Sequence, residues 1–311
     1  MTVDKDLIII GGGAAGLSAA QYAARSNLDV VLFEEMATGG QILIIDNMEN
    51  YPGFPEPVEG FEFSQQMEKQ AKQFGAEIVL TTVKGMENKN GYFMVETGKG
   101  TYTTYAVILA TGAKHKHLDI PGEKEFTGRG VSYCATCDGP FFRGKKILVV
   151  GGGDAACDEA GFLANLSENV VLIHRRDRFR AQKALAERVL NNPNIEVRFN
   201  TVAKEIRGKD KVEKVLLEKT DSGESYEEEM DAVFIFVGSI PQTQLVPELS
   251  KDEGGYIVTN QRMETEVPGL YAVGDLRNTP FRQVVVSASD GAIAAHCASQ
   301  YIDDIRGEAY K

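Results

Sequence analysis

The chain has 311 residues, 43% of them hydrophobic and 25% charged, a composition that suits a soluble globular protein of about two domains. Acidic residues outnumber basic ones 45 to 33, and the net charge of -12 argues against nucleic-acid binding, because such a chain repels phosphate backbones. No apolar run is long enough to span a bilayer, and Met1–Lys5 carries no signal-peptide pattern, which predicts a cytoplasmic protein with no membrane partner.

From the N-terminus, an apolar strand at Leu7–Ile10 runs into the turn Gly11-Gly12-Gly13-Ala14-Ala15-Gly16. An Ala-rich helix follows, then a second strand at Val30–Phe33. This is a βαβ unit with a dinucleotide fingerprint: glycines make a tight turn and let a pyrophosphate approach the backbone N–H groups at a helix start. Glu34, at the end of the second strand, suits a ribose 2′-hydroxyl and would repel a 2′-phosphate, so FAD or NAD fits and NADP does not. Val107–Ala110, followed by Thr111-Gly112, closes this copy.

Polar residues and proline interrupt the apolar pattern near 114–118 and again near 241–246, where crossovers between domains are expected. Between them comes Cys134-Ala135-Thr136-Cys137-Asp138. Three readings of the cysteine pair are open: a redox dithiol, half of a metal site, or two unrelated thiols. Tetrahedral zinc needs two more ligands, and neither Cys157, Cys297 nor the four histidines offer a matching spacing, so no metal is expected. Asp138 is a candidate general acid, since reducing a disulfide consumes protons, or else a turn residue before Gly139-Pro140.

The first pattern then repeats. Ile147–Val150 runs into Gly151-Gly152-Gly153-Asp154-Ala155-Ala156, a helix and a strand at Val170–Ile173 follow, and Val233–Val237 closes the copy. The position equivalent to Glu34 is His174, followed by Arg175, Arg176, Asp177, Arg178, Phe179 and Arg180. A basic cluster in place of a carboxylate is what a 2′-phosphate needs, so this copy is assigned NADPH, held by Arg175, Arg176 and Arg180 with His174 as a neighbour. Glu227–Glu229 reads as a solvated hairpin, and His115 and His117 as linker residues. In the last third, Tyr256–Thr259 and Leu270–Val273 read as strands and Val284–Ile293 as a helix of small residues. This segment has no fingerprint and is expected to complete the first domain.

The predicted architecture is therefore α/β: two Rossmann-like three-layer nucleotide-binding domains, the NADPH domain (115–244) inserted into the FAD or NAD domain (1–114 and 245–311). Two nucleotide sites and one pair of sulfurs suggest an electron relay from a nicotinamide, through a flavin, to a disulfide. Cys157 and Cys297 are expected to pack as small hydrophobes.

Taken together, these strings resemble the low-molecular-weight thioredoxin reductases of the bacterial type. The resemblance rests on both fingerprints, Gly39-Gly40-Gln41, Glu49-Asn50-Tyr51-Pro52-Gly53, Ala110-Thr111-Gly112, Cys134 to Asp138, His174 to Ala181, Gly274-Asp275 and Arg282-Gln283. It implies that Gly11, Gly13, Ala14, Ala15, Gly16, Glu34, Gly40, Gln41, Asn50, Gly112, Gly274, Asp275, Arg282, Gln283 and Val284 hold FAD. It likewise implies that Gly151, Gly153, Asp154, Ala155 and Glu159 join the basic cluster around NADPH, with Glu159 near the nicotinamide. Cys134 and Cys137 would form the redox pair, with Asp138 handling the proton. Thioredoxin would be the partner, and the protein would be a homodimer.

Overall fold

The computed structural model describes residues 2–45, 48, 50–89 and 91–308; Glu49 and the side chain of Cys137 lie outside the described residues. The chain forms two compact units, one of residues 1–114 with 240–311 and the other of residues 115–239.

The first unit begins with β1 (Lys5–Ile10), α1 (Ala14–Arg25) and β2 (Val30–Glu34), followed by α2 (Gly60–Gln73) and β3 (Glu77–Leu80). Strands β4 (Val83–Asn88), β5 (Phe93–Thr97) and the long β6 (Gly100–Leu109) come next. β1 pairs in parallel with β2 on one side and β6 on the other. Its apolar run is buried on both faces, as expected for a central parallel strand. Leu7 and Ile9 join one core, while Ile8 and Ile10 join another beyond the sheet.

The chain leaves along β7 (Ala113–His115) and enters the second unit through β8 (Val131–Ser132) and the short helix α3 (Ala135–Asp138). There β9 (Ile147–Gly151), α4 (Asp154–Ala164), β10 (Val170–Ile173), α5 (Lys183–Leu190) and β11 (Ile195–Arg198) repeat the βαβ pattern. An antiparallel sheet of β12 (Thr201–Gly208), β13 (Val212–Lys219) and β14 (Ser225–Glu229) follows, then β15 (Ala232–Phe236). The parallel sheet runs β11-β10-β9-β15-β8. Ile147 and Val149 face the α4 side, while Leu148 and Val150 share a core with Val215 and Leu217 of the antiparallel sheet. That makes three layers.

The return passes through β16 (Ser239–Pro241), which pairs with β7 in a two-stranded ribbon. The sequence reading places this crossing at 244/245; the chain crosses at 239/240, within the ribbon strand β16. β17 (Leu270–Ala272) then pairs in parallel with the upper end of β6, and α6 (Val284–Arg306) packs against α1. Small residues allow this contact: a Cβ on Gly291 would lie 2.1 Å from the Ala15 carbonyl oxygen.

Two elements differ from the sequence reading. Residues 256–259 form no strand, only a bridge of Ile257 to Lys251 and to Arg277. Glu227–Glu229 lie on β14, and Glu228 is no solvated residue: its carboxylate is ion-paired with Arg198 and Lys146 and is 15% exposed. Among the described residues no helix is long and apolar enough to cross a membrane.

Candidate functional site

The first fingerprint is shaped by close backbone packing. Gly11 has φ +107° and a Cβ there would sit 2.3 Å from the Ala110 carbonyl oxygen; one on Gly16 would sit 1.9 Å from the Gly11 oxygen. Only glycine permits both. Gly13 caps the twelve-residue α1 with no side-chain hydrogen bond, and the space beside it is open. The N–H groups of that helix start therefore face a gap suited to an anion. Ala14 and Ala15 are buried behind it. Glu34 reaches back to this turn: one carboxylate oxygen accepts the Gly12 N–H at 2.7 Å, and the other accepts the Met36 N–H at 3.1 Å.

Other predicted residues gather around the same cradle. Gly40, at φ +54°, approaches Gly13, and the Gly39 N–H donates to the Gly12 carbonyl at 2.8 Å. The Gln41 amide donates to the Ala113 carbonyl at 2.7 Å, just beyond Gly112. The Asn50 amide donates to Gln283 at 2.9 Å, which joins two residues far apart in the chain. A Cβ on Gly274 would lie 3.1 Å from that of Ala15, so the Gly274–Asp275 turn sits against the start of α1. Burial raises the Asp275 carboxyl above its usual range, opposed by the Arg282 charge and a hydrogen bond with Ser287. Val284 opens α6 beside them. The Arg282 Nε is buried with no partner among the described residues, and its guanidinium lies 3.8 Å from the Tyr256 ring centroid. An uncapped helix start, an open cradle and an orphaned buried donor fit a flavin dinucleotide.

Sequence reasoning missed two supports here. Asp290 accepts the Gly274 N–H and the Arg277 guanidinium, each at 3.1 Å, and this buried pair fixes the Gly274 turn from behind. Tyr256, the stacking partner of Arg282, belongs to no motif. Neither carries a local signal: Asp290 reaches from α6 to the Gly274 turn, and Tyr256 meets Arg282 only through the fold.

The second fingerprint repeats the geometry with opposite charge. Gly153 caps α4 without a side-chain bond and has open space beside it. A Cβ on Gly151 would lie 2.4 Å from the Phe236 oxygen, and one on Gly152 would strike the His174 ring at 2.2 Å. His174 is buried and its Nε2 has no partner among the described residues. Burial first, then Arg175, Arg176 and Arg180, hold its pKa below the usual imidazole value, against a hydrogen bond with Gly151. The three arginines are exposed, with no ion pair among the described residues. Asp154 accepts the backbone and side-chain N–H groups of Gln182, at 2.7 and 2.9 Å, and Ala155 is exposed next to it. Glu159 has its pKa pushed up to about 7 by burial and then by Asp158. A carboxyl that shares its proton near neutral pH can both donate and accept a hydrogen bond, which suits a site for a nicotinamide ring.

Cys134 is disulfide-bonded. Its N–H donates to the Ser132 hydroxyl at 3.0 Å, and its carbonyl accepts the Asp138 N–H at 3.2 Å, closing the single turn of α3. Ala135 is fully buried and Asp138 half-buried. Cys157 and Cys297 are free and buried, and burial raises both thiols, Cys157 to about 11. Thiols so shifted are poor nucleophiles, in keeping with a packing role. No group of three metal-binding side chains occurs among the described residues.

The sequence pattern of the pyridine nucleotide-disulphide oxidoreductases matches residues 5–291. The chain is 54% identical to thioredoxin reductase of Treponema pallidum, over 98% of this chain and 100% of that one. It is 43% identical to thioredoxin reductase of Bacillus subtilis, over 97% and 96% respectively. Among solved structures it is similar to Lactococcus lactis thioredoxin reductase, with a TM-score of 0.93 and 40% identity over 97% of this chain and 100% of that one. Full-length matches of this kind, on a fold with two fingerprints and a bonded cysteine between them, make the chain a member of the pyridine nucleotide-disulphide oxidoreductase family.

Proposed function

We propose that this protein is an NADPH-dependent thioredoxin reductase that works through FAD and the pair Cys134 and Cys137. The observation that carries the reading is the disulfide-bonded Cys134 in a C-A-T-C-D turn, within a unit whose nucleotide cradle is bordered by exposed arginines. The net reaction is NADPH + H⁺ + oxidised thioredoxin → NADP⁺ + reduced thioredoxin, two electrons and two protons reaching the sulfurs.

Arg175, Arg176 and Arg180 select the 2′-phosphate, and the start of α4 at Gly153 takes the pyrophosphate. Glu159 lies beside the nicotinamide. In the other unit, Glu34 binds the ribose, the start of α1 binds the pyrophosphate, and Asp275, Arg282, Gln283 and Val284 frame the ring system. Bound flavin supplies the conversion of a hydride donor into a reductant for a disulfide. Asp138 delivers the proton as the Cys134–Cys137 bond opens. A thiolate of the pair then attacks the thioredoxin disulfide, forming a mixed disulfide that the second sulfur resolves. The protein acts as a homodimer in the cytoplasm.

The test is NADPH oxidation by the purified protein with and without thioredoxin, repeated with NADH. Turnover that depends on thioredoxin and prefers NADPH is expected; turnover indifferent to thioredoxin would make the protein an oxidase. Cys137→Ser should abolish thioredoxin reduction and keep the yellow flavin.

A further inference from the structure

The residue before Cys134 is held in a way that a simple loop does not need. The Tyr133 hydroxyl donates to the Glu123 carboxylate at 2.6 Å and lies 2.7 Å from the His117 Nδ1. A phenol has one proton to give, so with Glu123 taking it the His117 Nδ1 is the donor to the phenolic oxygen. The Tyr133 ring is flanked by His117 edge-on, with centroids 5.0 Å apart, and by His115 stacked at 6.1 Å.

Glu123 is itself 1% exposed. It accepts the Leu118 and Asp119 N–H groups at 2.9 and 2.7 Å, and Asp119 has a left-handed backbone at φ +57°. The turn 118–123 is thus wrapped around this carboxylate. A buried carboxylate needs donors, and here the Tyr133 hydroxyl is the foremost of them, followed by the backbone N–H groups of the turn. The bond to Tyr133 also ties the turn to the cysteine loop. Two residues before Cys134, Ser132 accepts the Cys134 N–H at 3.0 Å and donates to the Cys134 carbonyl at 3.2 Å.

We infer that Tyr133, clamped by Glu123 and His117, is a positioning residue that sets the dithiol–disulfide equilibrium of the Cys134 pair. This rests on the redox role proposed above. Formation of the disulfide from two thiols releases two electrons and two protons and requires both Cα positions to stay in bridging range. An anchored backbone raises the effective concentration of one thiol at the other, which favours the closed form. Hydrogen bonding to the ionised Glu123 keeps its carboxyl below the usual range, and the same partner with burial raises the Tyr133 phenol, so the clamp holds one charge state at neutral pH.

The test is Tyr133→Phe, which removes one hydroxyl and leaves the backbone donors on Glu123. Equilibration of the holoenzyme in glutathione/glutathione disulfide buffers measures the pair. The variant should favour the dithiol about tenfold more than the parent, a shift of about 30 mV to less negative potential. Its kcat with thioredoxin should change while its KM for NADPH and its flavin spectrum do not. An unchanged potential, even with a lower melting temperature, would overturn the inference and leave Tyr133 a structural residue. Should Tyr133→Phe lose its flavin, His117→Gln decides: a smaller shift in the same direction supports the clamp, and none overturns it. A parent enzyme that fails to reduce thioredoxin would sink the functional reading instead, while the potentials still decide the role of Tyr133.

Discussion

The two nucleotide cradles have the same backbone and opposite charge. In each, a parallel strand ends in three glycines, a helix starts without a side-chain cap, and the next strand delivers one side chain against the middle glycine. In the first cradle that side chain is Glu34, which bonds to Gly12 through a hydrogen bond. In the second it is the ring of His174, packed against Gly152 and followed by exposed arginines. The same topology builds both turns; the residue that ends or follows the second strand, with its successors, gives them opposite charge. The comparison also shows where tolerance lies. A flexible carboxylate can yield to a neighbour more readily than a buried imidazole.

Breaking the charge difference should give the largest effect. Arg175→Ala with Arg176→Ala would remove the two charge-assisted contacts proposed for the 2′-phosphate, and the preference for NADPH over NADH in kcat/KM should fall about 100-fold. An unaltered preference would mean that the cluster is only a solvated surface. The next contrast is steric. Gly152→Ala drives a methyl group into the His174 ring at 2.2 Å and should cost about 2–3 kcal/mol, while Gly12→Ala meets Glu34 at 3.1 Å and should cost less than about 1 kcal/mol. Thermal unfolding of the two variants side by side would show whether the cradles differ as described. The smallest effect sharpens the comparison through pH. Glu159 has no counterpart in charge on α1, and its folded pKa of about 7 lies above the ordinary 4.5. The folded state therefore loses stability as pH rises from the ordinary value through 7. Glu159→Gln should be more stable than the parent at pH 8 by about 1–2 kcal/mol and equal to it near pH 4, as measured by denaturant titration without added nucleotide.

Much of this was legible in the sequence because it is local. Gly11, Gly16 and Gly151 announce tight turns, apolar runs beside them announce buried parallel strands, and Glu34 against His174 announces the charge switch. The strand expected at 256–259 is absent because Ile257 finds partners at Lys251 and Arg277 in loops rather than along a neighbouring strand. Asp290, Arg277 and Tyr256 were invisible for a related reason: each acts on a residue that the fold, and not the chain, puts beside it. His117 read as linker because its partner Tyr133 belongs to no family of spacings. Asn50 with Gln283 was implied only by resemblance, since 233 residues separate them.

The split of the first unit into two stretches of chain has a consequence for its birth. Residues 115–239 contain everything the second unit needs, so in synthesis from the N-terminus it has its full complement before the first unit does. Until Leu270–Ala272 emerges, Val107–Leu109 presents an apolar strand edge with no neighbour on that side. Until α6 emerges, the packing surface of α1 lacks Ala294, Ala295, Ala298 and Ile302. The nascent chain thus carries an unfinished apolar sheet in its earlier stretch while all of the second unit is already made.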